Sequence, residues 1–194
     1  VQPVRFGIIG VGNMGKSHIS MNLKGAHKEL RITAVADIDP ARLEDAKKLM
    51  PYVKTFNSAE ALIDSGEVDV VLIATPHYDH SPSSQYAFSK NLRVLTEKPA
   101  GVYTKQVREM NEAAAKTDRV FGIMYNQRTN CVYRKMRELV QSGELGEIKR
   151  VSWIITDWYR TQAYYNSGGW RATWKGEGGG VLLNQCPHQL DLWQ

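Results

Sequence analysis

The sequence has 194 residues, of which 42% are hydrophobic and 23% are charged, and its formal net charge is +5. This composition is ordinary for a globular protein with a sizeable core and excludes a disordered or fibrous chain. There is no charged-then-apolar leader and no apolar stretch approaching about 18 residues, which argues against a secretory signal and a membrane span. Because Cys131 and Cys186 lack C-x-x-C spacing, we expect a reduced, cytoplasmic protein.

The positive charge does not by itself indicate a nucleic-acid partner. Most cations are interleaved with acidic residues along the chain, whereas nucleic-acid-binding faces concentrate them. The densest group lies around a predicted helix and comprises Arg128, Arg134, Lys135 and Arg137. We interpret this group as the solvated face of that helix, and we expect neither nucleic acid nor a membrane as a partner.

Strand-like and helix-like segments alternate over the first 124 residues. The predicted strands are 4–9, 32–36, 53–56, 68–74, 92–95 and 120–124. The predicted helices are 15–24, one that begins at Asp39-Pro40, 59–64, 81–90 and 104–116. Segment 68–74 is strongly apolar, as is typical of a central parallel strand covered on both faces. This order predicts an α/β fold with a doubly wound parallel sheet.

A glycine-rich motif follows the first strand and satisfies two phosphate-binding patterns. Gly10, Gly12 and Gly15 form G-x-G-x-x-G, the dinucleotide fingerprint, while residues 10–17 also match the P-loop pattern G-x-x-x-x-G-K-S. In both kinds of site, the helix after the glycine turn presents backbone N–H groups and the positive end of its dipole to a phosphate. A buried strand followed by an ordinary glycine turn is the third interpretation.

The second predicted strand favours the dinucleotide. It ends at Asp37, about 20 residues beyond Gly15, where a dinucleotide-binding fold has the acid that binds the adenosine ribose hydroxyls. A P-loop protein has use for an acid there only as a magnesium ligand. Asp37 would repel a 2′-phosphate and Ile38 offers no group to bind one, so we predict NAD, while Arg42 leaves NADP as the alternative. The first 124 residues are thus predicted to be an NAD(P)-binding domain of the Rossmann type.

The alternation of strand-like and helix-like segments ends after residue 124. We predict a helix over 131–142, a strand over 148–158, a loop rich in Gly, Trp and Tyr over 161–180, and a helix that begins near Pro187. That last helix has no C-cap before Gln194. We therefore expect residues 125–194 to be the opening part of a second, α+β domain that is incomplete here.

Several ordered motifs together resemble one family. They are G-V-G-N-M-G at 10–15, I-A-T-P at 73–76, T-E-K-P at 96–99, N-Q-R at 126–128, G-E-L-G-E-I at 143–148 and G-G-G-V-L-L-N-Q-C-P-H-Q-L-D at 178–191. The combination is similar to the glucose-fructose oxidoreductase / inositol dehydrogenase (Gfo/Idh/MocA) family. The resemblance implies a Rossmann-type cofactor domain, a truncated substrate and oligomerisation domain, and a homo-oligomer formed through the missing C-terminal sheet.

The resemblance also implies which residues act on the substrate. Lys98 corresponds to the family's E-K-P lysine, and His188 to the histidine of its D-x-x-x-H segment. Asn184 stands where that segment usually has aspartate, so it can form hydrogen bonds but cannot carry a negative charge. A histidine is suited to take the proton of an alcohol, and a lysine ammonium stabilises developing alkoxide charge. A surface lysine and a solvated histidine at a helix start are the alternatives.

The remaining predicted site residues form two sets. The predicted cofactor-binding residues are Gly10, Gly12, Asn13, Met14, Asp37, Thr75, Pro76, His80, Glu97, Lys98 and Asn126. The predicted substrate-binding residues are Lys98, Tyr159, Trp170, Arg171, Asn184 and His188, and three of the six lie in an aromatic stretch, 153–174, that suits a sugar ring. For His80 a plain helix-start role is the alternative, and for Glu97 the alternative is a role in satisfying backbone groups. His77 and His80 lack further ligands at zinc-site spacing, so we predict no metal site.

The predicted site residues favour one function, and two alternative functions stay open. We expect an NAD-dependent oxidoreductase that transfers a hydride between the secondary alcohol of a sugar or polyol and nicotinamide, with a small carbohydrate as its partner. One alternative is a glycoside hydrolase of the same family that uses NAD transiently. The other is a non-catalytic NAD-binding regulator, which the absence of a charge at Asn184 suggests.

Overall fold

The chain divides into two compact units, Val1–Met124 (unit 1) and Tyr125–Gln194 (unit 2). The structure is a computed structural model that describes residues 2–25, 27–156 and 159–194. Within those ranges every strand belongs to unit 1, and unit 2 consists of helices and irregular segments.

Unit 1 is built on a six-stranded parallel sheet in the order β3-β2-β1-β4-β5-β6. The strands are β1 (Val4–Ile9), β2 (Leu30–Ala36), β3 (Lys54–Phe56), β4 (Val70–Ile73), β5 (Arg93–Thr96) and β6 (Phe121–Ile123). Strands β1 and β4 are neighbours although β2 and β3 lie between them in sequence, so the winding direction reverses there. Open α/β sheets bind ligands beyond the carboxyl ends of the strands at such a reversal.

Helices cover both faces of this sheet, as the alternation of side chains along each strand shows. Ile8 and Leu72 pack in a core with α1 (Asn13–Leu23) and α2 (Pro40–Leu49). Their strand neighbours Ile9 and Ile73 point to the opposite face, where they pack in a second core with α3 (Ala59–Ile63), α4 (His80–Ser89) and α5 (Thr104–Ala115). Each fully buried isoleucine or leucine contributes roughly 1.5–3 kcal/mol to folding. The two cores therefore fix the strand ends rigidly.

Local sequence signals set several helix starts. The Asp39 carboxylate accepts a hydrogen bond from the Ala41 backbone N–H at 3.0 Å, and Pro40 occupies the first helical position of α2. The Ser58 hydroxyl likewise accepts from the Ala61 N–H at 3.1 Å at the start of α3. The predicted α/β fold is confirmed, and the predicted bounds of the elements of unit 1 lie within two residues of the observed ones, with β1 matching at both ends.

Unit 2 contains α6 (Cys131–Gln141), α7 (Gln162–Asn166), α8 (Val181–Asn184) and α9 (Pro187–Leu192). A short 3-10 helix, Asn126–Thr129, precedes α6. The Asn130 side chain caps α6 by accepting from the Val132 N–H at 2.9 Å. Helix α7 lies inside the segment predicted to be entirely loop, and α8 was not predicted.

The predicted strand over 148–158 is wrong for its described part. Residues 148–156 have no strand structure, and Asp157 and Trp158 lie outside the described residues. A strand is stable only when another strand satisfies its backbone groups, and the described part of unit 2 contains none. Trp153, which lies within that predicted strand, packs against Tyr133 of α6 with ring centroids 5.7 Å apart.

Across the described ranges, no helix combines the length and the apolar character that crossing a membrane requires.

Candidate active site

The carboxyl ends of the strands in unit 1 bring four predicted site segments to one edge of the sheet. The backbone hydrogen bonds between neighbouring strands continue one residue past the strand ends. The Gly10 N–H donates to the Ala36 carbonyl at 2.8 Å, and the Ala74 N–H donates to the Ile9 carbonyl at 2.7 Å. The Glu97 N–H donates to the Ile73 carbonyl at 2.8 Å. Because all strands are parallel, the residues that follow β1, β2, β4 and β5 share this edge.

The glycine turn is packed so closely that two of its glycines admit no side chain. Gly10 has φ +93°, and a Cβ there would lie 2.7 Å from the Ala74 carbonyl oxygen. A Cβ on Gly15 would lie 2.1 Å from the Gly10 carbonyl oxygen. At Gly12 the nearest atom is Arg42 Nη1 at 3.8 Å, so the backbone there is open to a ligand. This is the division of roles that a dinucleotide turn requires.

The start of α1 is suited to an anion. Gly12 is its N-cap, and among the described residues no side chain caps the helix. The first turn therefore presents unsatisfied N–H groups, including those of Asn13 and Met14, together with the positive end of the helix dipole. Lys16 pairs with Asp45 of α2 at 3.4 Å. This pairing disfavours the P-loop interpretation, in which that lysine would bind the phosphate.

Asp37 is held beside the glycine turn by hydrogen bonds. Its Oδ2 accepts from the Val11 N–H at 2.7 Å, and its Oδ1 accepts from the Asp39 N–H at 2.9 Å. The side chain is only 4% exposed. A carboxylate has about four lone-pair sites, so capacity remains for ribose hydroxyls. Arg42 lies 3.4 Å from Asp37 and also pairs with Asp39 at 3.4 Å, so two carboxylates offset its charge.

Thr75, after β4, carries a buried hydroxyl oxygen that has no hydrogen-bond partner among the described residues. Buried polar atoms are nearly always satisfied, so this atom indicates a ligand. Together with the glycine turn, the uncapped α1 and Asp37, it shows that the residues present fit an adenine dinucleotide. Pro76, the next residue, is exposed.

His80 holds two of the predicted loops together. Its Nδ1 lies 2.6 Å from the Pro99 carbonyl oxygen, and its Nε2 lies 2.8 Å from the Thr75 carbonyl oxygen. The residue is 1% exposed. With both ring nitrogens on protein carbonyls, His80 is placed to position the loops, and the structure gives no support to direct contact with the cofactor. Pro99 follows Lys98 through a cis peptide bond.

Glu97 pairs with a residue that the sequence did not single out. Its Oε1 lies 2.8 Å from Nε2 of His18 on α1, and both side chains are largely buried. The carboxylate thus ties the end of β5 to α1. No local pattern marks this pair, because the two residues are 79 positions apart.

His77 and His80 do not form a metal site with any third ligand in the described ranges. Their rings are tilted by 59° with centroids 5.9 Å apart. No group of three or more His, Cys, Asp or Glu residues among those described is arranged to hold a metal ion.

Unit 2 places Asn184 against a buried carboxylate. The Nδ2 of Asn184, at the end of α8, donates to Oε1 of Glu177 at 2.5 Å, and each residue is 6% exposed. Glu177 was not among the predicted site residues. Its sequence position, directly before a run of three glycines, looks like that of any acid in a surface loop.

Gln185, the residue after Asn184, belongs to an arginine–aromatic cluster. It consists of Arg160, Tyr164, Trp170, Arg171 and Gln185. The Arg171 Nη1 donates to the Tyr164 hydroxyl at 2.7 Å, and the Arg171 guanidinium lies 4.7 Å from the Trp170 ring centroid. The Arg160 Nη2 donates to Gln185 Oε1 at 3.0 Å, and its guanidinium lies 4.2 Å from the Tyr164 ring. This cluster contains two predicted substrate-binding residues, Trp170 and Arg171, which are adjacent in the sequence.

His188 lies in the first turn of α9, edge-on to the Tyr125 ring at 6.1 Å between centroids. Burial, followed by the nearby Asp191 carboxylate, raises the pKa of Tyr125. Asp191 also forms a two-point ion pair with Arg128, with N···O distances of 2.7 and 2.5 Å. These contacts anchor α9 to the 3-10 helix that carries Asn126.

Five predicted site residues are solvent-exposed: Asn13, Met14, Pro76, Asn126 and Tyr159. Tyr159 is 85% exposed, and Asn126 is exposed at the start of its 3-10 helix. Their predicted roles, like those of the other site residues, stay predictions.

Comparison with known proteins agrees with this geometry. Residues 4–125 match the model of an oxidoreductase family with an NAD-binding Rossmann fold (GFO_IDH_MocA), and residues 133–194 match that of the GFO/IDH/MocA C-terminal domain. The rhizopine catabolism protein MocA of Rhizobium meliloti is 31% identical over 188 residues, which cover 96% of this chain and 55% of that protein. An inositol 2-dehydrogenase of Corynebacterium glutamicum (strain R) is 33% identical over 149 residues, which cover 75% of this chain and 43% of that protein.

Among solved structures, the WlbA dehydrogenase from Chromobacterium violaceum, in complex with NADH and UDP-GlcNAcA, superposes with a TM-score of 0.87 at 27% identity. The match covers 99% of this chain and 55% of that one. This chain thus spans about half the length of the relatives it matches. It belongs to the Gfo/Idh/MocA oxidoreductase family, and its first unit has that family's NAD-binding Rossmann fold.

Proposed function

We propose that the protein is an NAD-dependent oxidoreductase that transfers a hydride between the secondary alcohol of a sugar or polyol and nicotinamide. The observation that carries the proposal is the fit of the glycine turn, Asp37 and the unsatisfied Thr75 hydroxyl to an adenine dinucleotide. The substrate class is supported by relatives that are named inositol 2-dehydrogenase and by WlbA, which was solved with a nucleotide-linked sugar acid.

Different residues of unit 1 bind different parts of the cofactor. The N–H groups of Asn13 and Met14 bind the pyrophosphate where Gly12 leaves the backbone open, and Asp37 binds the adenosine ribose. The Thr75 hydroxyl gains the partner that it lacks. When bound, NAD supplies the hydride acceptor.

Asp37 and Arg42 support NAD over NADP. The buried Asp37 carboxylate would repel a 2′-phosphate. Arg42 is the nearby cation that would favour NADP, but Asp37 and Asp39 already pair with it. A 2′-phosphate would have to displace both carboxylates to use this arginine.

The catalytic residues are Lys98, His188 and Asn184. During oxidation the alcohol O–H and C–H bonds break and a C=O bond forms, with the proton going to His188 and the hydride to the cofactor. The Lys98 ammonium donates a hydrogen bond to the same oxygen and stabilises its alkoxide character. Asn184 orients a substrate hydroxyl through its carboxamide.

The arginine–aromatic cluster supports a carbohydrate substrate. Aromatic faces suit the C–H face of a sugar ring, and guanidinium groups bind hydroxyls or a carboxylate. We assign the opening of the substrate domain to residues 125–194, with Tyr159, Trp170 and Arg171 as substrate contacts and a homo-oligomer as the assembled form.

The natural full-length protein tests this proposal. NADH formation is followed with a panel of sugars, uronic acids and inositols for wild type, Lys98→Met and His188→Asn. Each variant is expected to lower kcat by roughly 100-fold or more. His188→Asn removes the proton acceptor, and Lys98→Met removes the ammonium that stabilises the alkoxide. NAD affinity, measured by calorimetry, stays within roughly threefold of wild type. The control is Lys105→Met, since Lys105 is exposed and pairs only loosely with Glu109 at 3.9 Å.

Three results would contradict the proposal. Wild-type turnover by Lys98→Met would show that the reaction does not need the Lys98 ammonium and would contradict the proposed mechanism. Cleavage of aryl glycosides without net NADH would identify the hydrolase. Tight NAD binding with no turnover on any substrate of the panel would identify a regulator.

A further inference from the structure

His18 and Glu97 form a largely buried pair for which the proposed reaction gives no role. The Nε2 atom of His18 lies 2.8 Å from Oε1 of Glu97, and the two side chains are 14% and 8% exposed. Because an ionised carboxylate only accepts hydrogen bonds, Nε2 is the atom that carries the hydrogen. His18 also lines a mainly apolar cavity between α1 and the sheet, where apolar side chains would pack at least as well as this pair. Packing therefore does not explain why a carboxylate lies here.

Strand β5 directs the Glu97 side chain towards α1. Side chains alternate between the two faces of a strand, and Leu95, two residues earlier, packs in the core that α1 covers. Glu97 follows the last residue of β5, and its N–H still donates to the Ile73 carbonyl at 2.8 Å. The strand itself thus carries the carboxylate to the α1 face, where His18 binds it.

Lys98 lies between two residues that are both held by histidines. On its N-terminal side, Glu97 is bound to His18 of α1. On its C-terminal side, the Pro99 carbonyl oxygen lies 2.6 Å from Nδ1 of His80 in α4. Helices α1 and α4 cover opposite faces of the sheet. The backbone on either side of the lysine is therefore fixed from opposite faces.

We infer that His18 is a positioning residue for the Lys98 ammonium. It acts through the Glu97 carboxylate, which fixes the backbone directly before the lysine, and it connects that backbone to the helix whose first turn is suited to the cofactor pyrophosphate. Placement matters, because a displacement of about 1 Å can lower a rate by roughly 100-fold. This inference rests on the proposed function, in which Lys98 acts on the substrate oxygen.

Two amides of different length at position 18 test the inference in the natural full-length protein. His18→Gln can place its NH2 group where Nε2 lies, so it can still donate to Glu97. His18→Asn is one methylene shorter and loses this contact, while it keeps a polar amide at the same site. The matched control, His27→Asn, makes the same change at an exposed histidine of unit 1.

Steady-state rates are measured with NAD and the best substrate of the panel of sugars, uronic acids and inositols. His18→Asn is expected to lower kcat roughly tenfold with KM for the alcohol within about twofold of wild type, because the ammonium acts on charge that develops in the transition state. His18→Gln and His27→Asn should stay within roughly threefold of wild type. In a Glu97→Ala background, His18→Asn should cost no further activity. Equal kcat in His18→Asn and His18→Gln, or additive losses in the double variant, overturns the role of His18.

The reactivity of Lys98 separates this inference from the proposed function, because it needs no turnover. The protein with NAD is treated with limiting acetic anhydride, and peptide mass spectrometry compares acetylation of Lys98 with that of Lys105, which is 88% exposed. The ratio should rise roughly threefold or more in His18→Asn, because a loosened loop exposes the lysine, and should keep its wild-type value in His18→Gln.

An unchanged or lower ratio in His18→Asn overturns the inference whatever the substrate is. A raised ratio in a protein that turns over no substrate supports the positioning role of His18 and counts against the oxidoreductase alone.

Discussion

The Nδ1 atom of His80 lies 2.6 Å from the carbonyl oxygen of Pro99, a residue 19 positions away. The other ring nitrogen lies 2.8 Å from the Thr75 carbonyl oxygen. Both partners are carbonyl oxygens, which accept hydrogen bonds from ring N–H groups. His80 thereby connects the loop after β4 to the loop that carries Lys98.

Replacement of His80 is expected to loosen both loops. His80→Ala leaves a cavity and two buried carbonyls without donors, so it should lower the free energy of unfolding by about 3 kcal/mol and weaken NAD binding. Urea unfolding and calorimetric titration with NAD measure the two effects. The matched control is His27→Ala at an exposed site, where the change should stay within about 0.5 kcal/mol. Equal stability of the two variants would show that the contacts of His80 contribute nothing.

Gly10→Ala is expected to destroy the dinucleotide turn. The added Cβ would meet the Ala74 carbonyl oxygen at 2.7 Å and would impose a left-handed conformation, with φ +93°, on a non-glycine residue. We expect a loss of about 3 kcal/mol or more in stability and no measurable NAD binding. Gly66→Ala separates the two causes, because Gly66 has φ +71° in open space and should cost only about 1 kcal/mol. If both variants bind NAD alike, close approach at Gly10 is not required.

Asp37→Asn tests the recognition of the ribose. The substitution keeps the shape but removes the charge, so the Kd for NADH measured by fluorescence should rise roughly tenfold. The ratio of NADP to NAD affinity should increase, since the repulsion of a 2′-phosphate is gone. Asp118→Asn serves as the control, because it removes a carboxylate at a side chain that is 83% exposed and that pairs with Arg119 rather than with Arg42. An unchanged preference for NAD would place ribose recognition elsewhere.

The Arg5–Asp69 pair predicts a small acid sensitivity of unit 1. The Arg5 guanidinium donates to Asp69 at 2.7 Å, and this hydrogen bond lowers the pKa of the Asp69 carboxyl. Because the folded-state pKa lies below the unfolded value, the stabilisation is complete at neutral pH and is lost as pH falls through the folded-state pKa. The side chains are 46% and 35% exposed, so the contribution is only about 0.5–1 kcal/mol.

Urea unfolding of wild type and Asp69→Asn measures this contribution. The two curves should differ near neutral pH and converge in acid. The control is Asp118→Asn at a side chain that is 83% exposed, which should leave the pH dependence unchanged. Parallel curves for wild type and Asp69→Asn at all pH values would contradict the prediction.

The sequence alone determined the parts of this protein that local rules control. The apolar period of the strands, the Asp39-Pro40 helix start and the spacing from the glycine turn to Asp37 each depend on residues close together in the chain. Parallel strands with helical crossovers allow few arrangements, so these signals were enough to predict the doubly wound sheet and its cofactor edge.

Only the tertiary structure decided which side chains meet. His18 with Glu97, His80 with Pro99, and Glu177 with Asn184 are contacts between separate elements, and no periodicity or propensity encodes them. The strand expected over 148–158 failed in its described part, 148–156, for the same reason, since a strand exists only where a partner strand satisfies its backbone. Residue types and spacing fix local conformation, but burial and hydrogen-bond partners depend on how the chain packs.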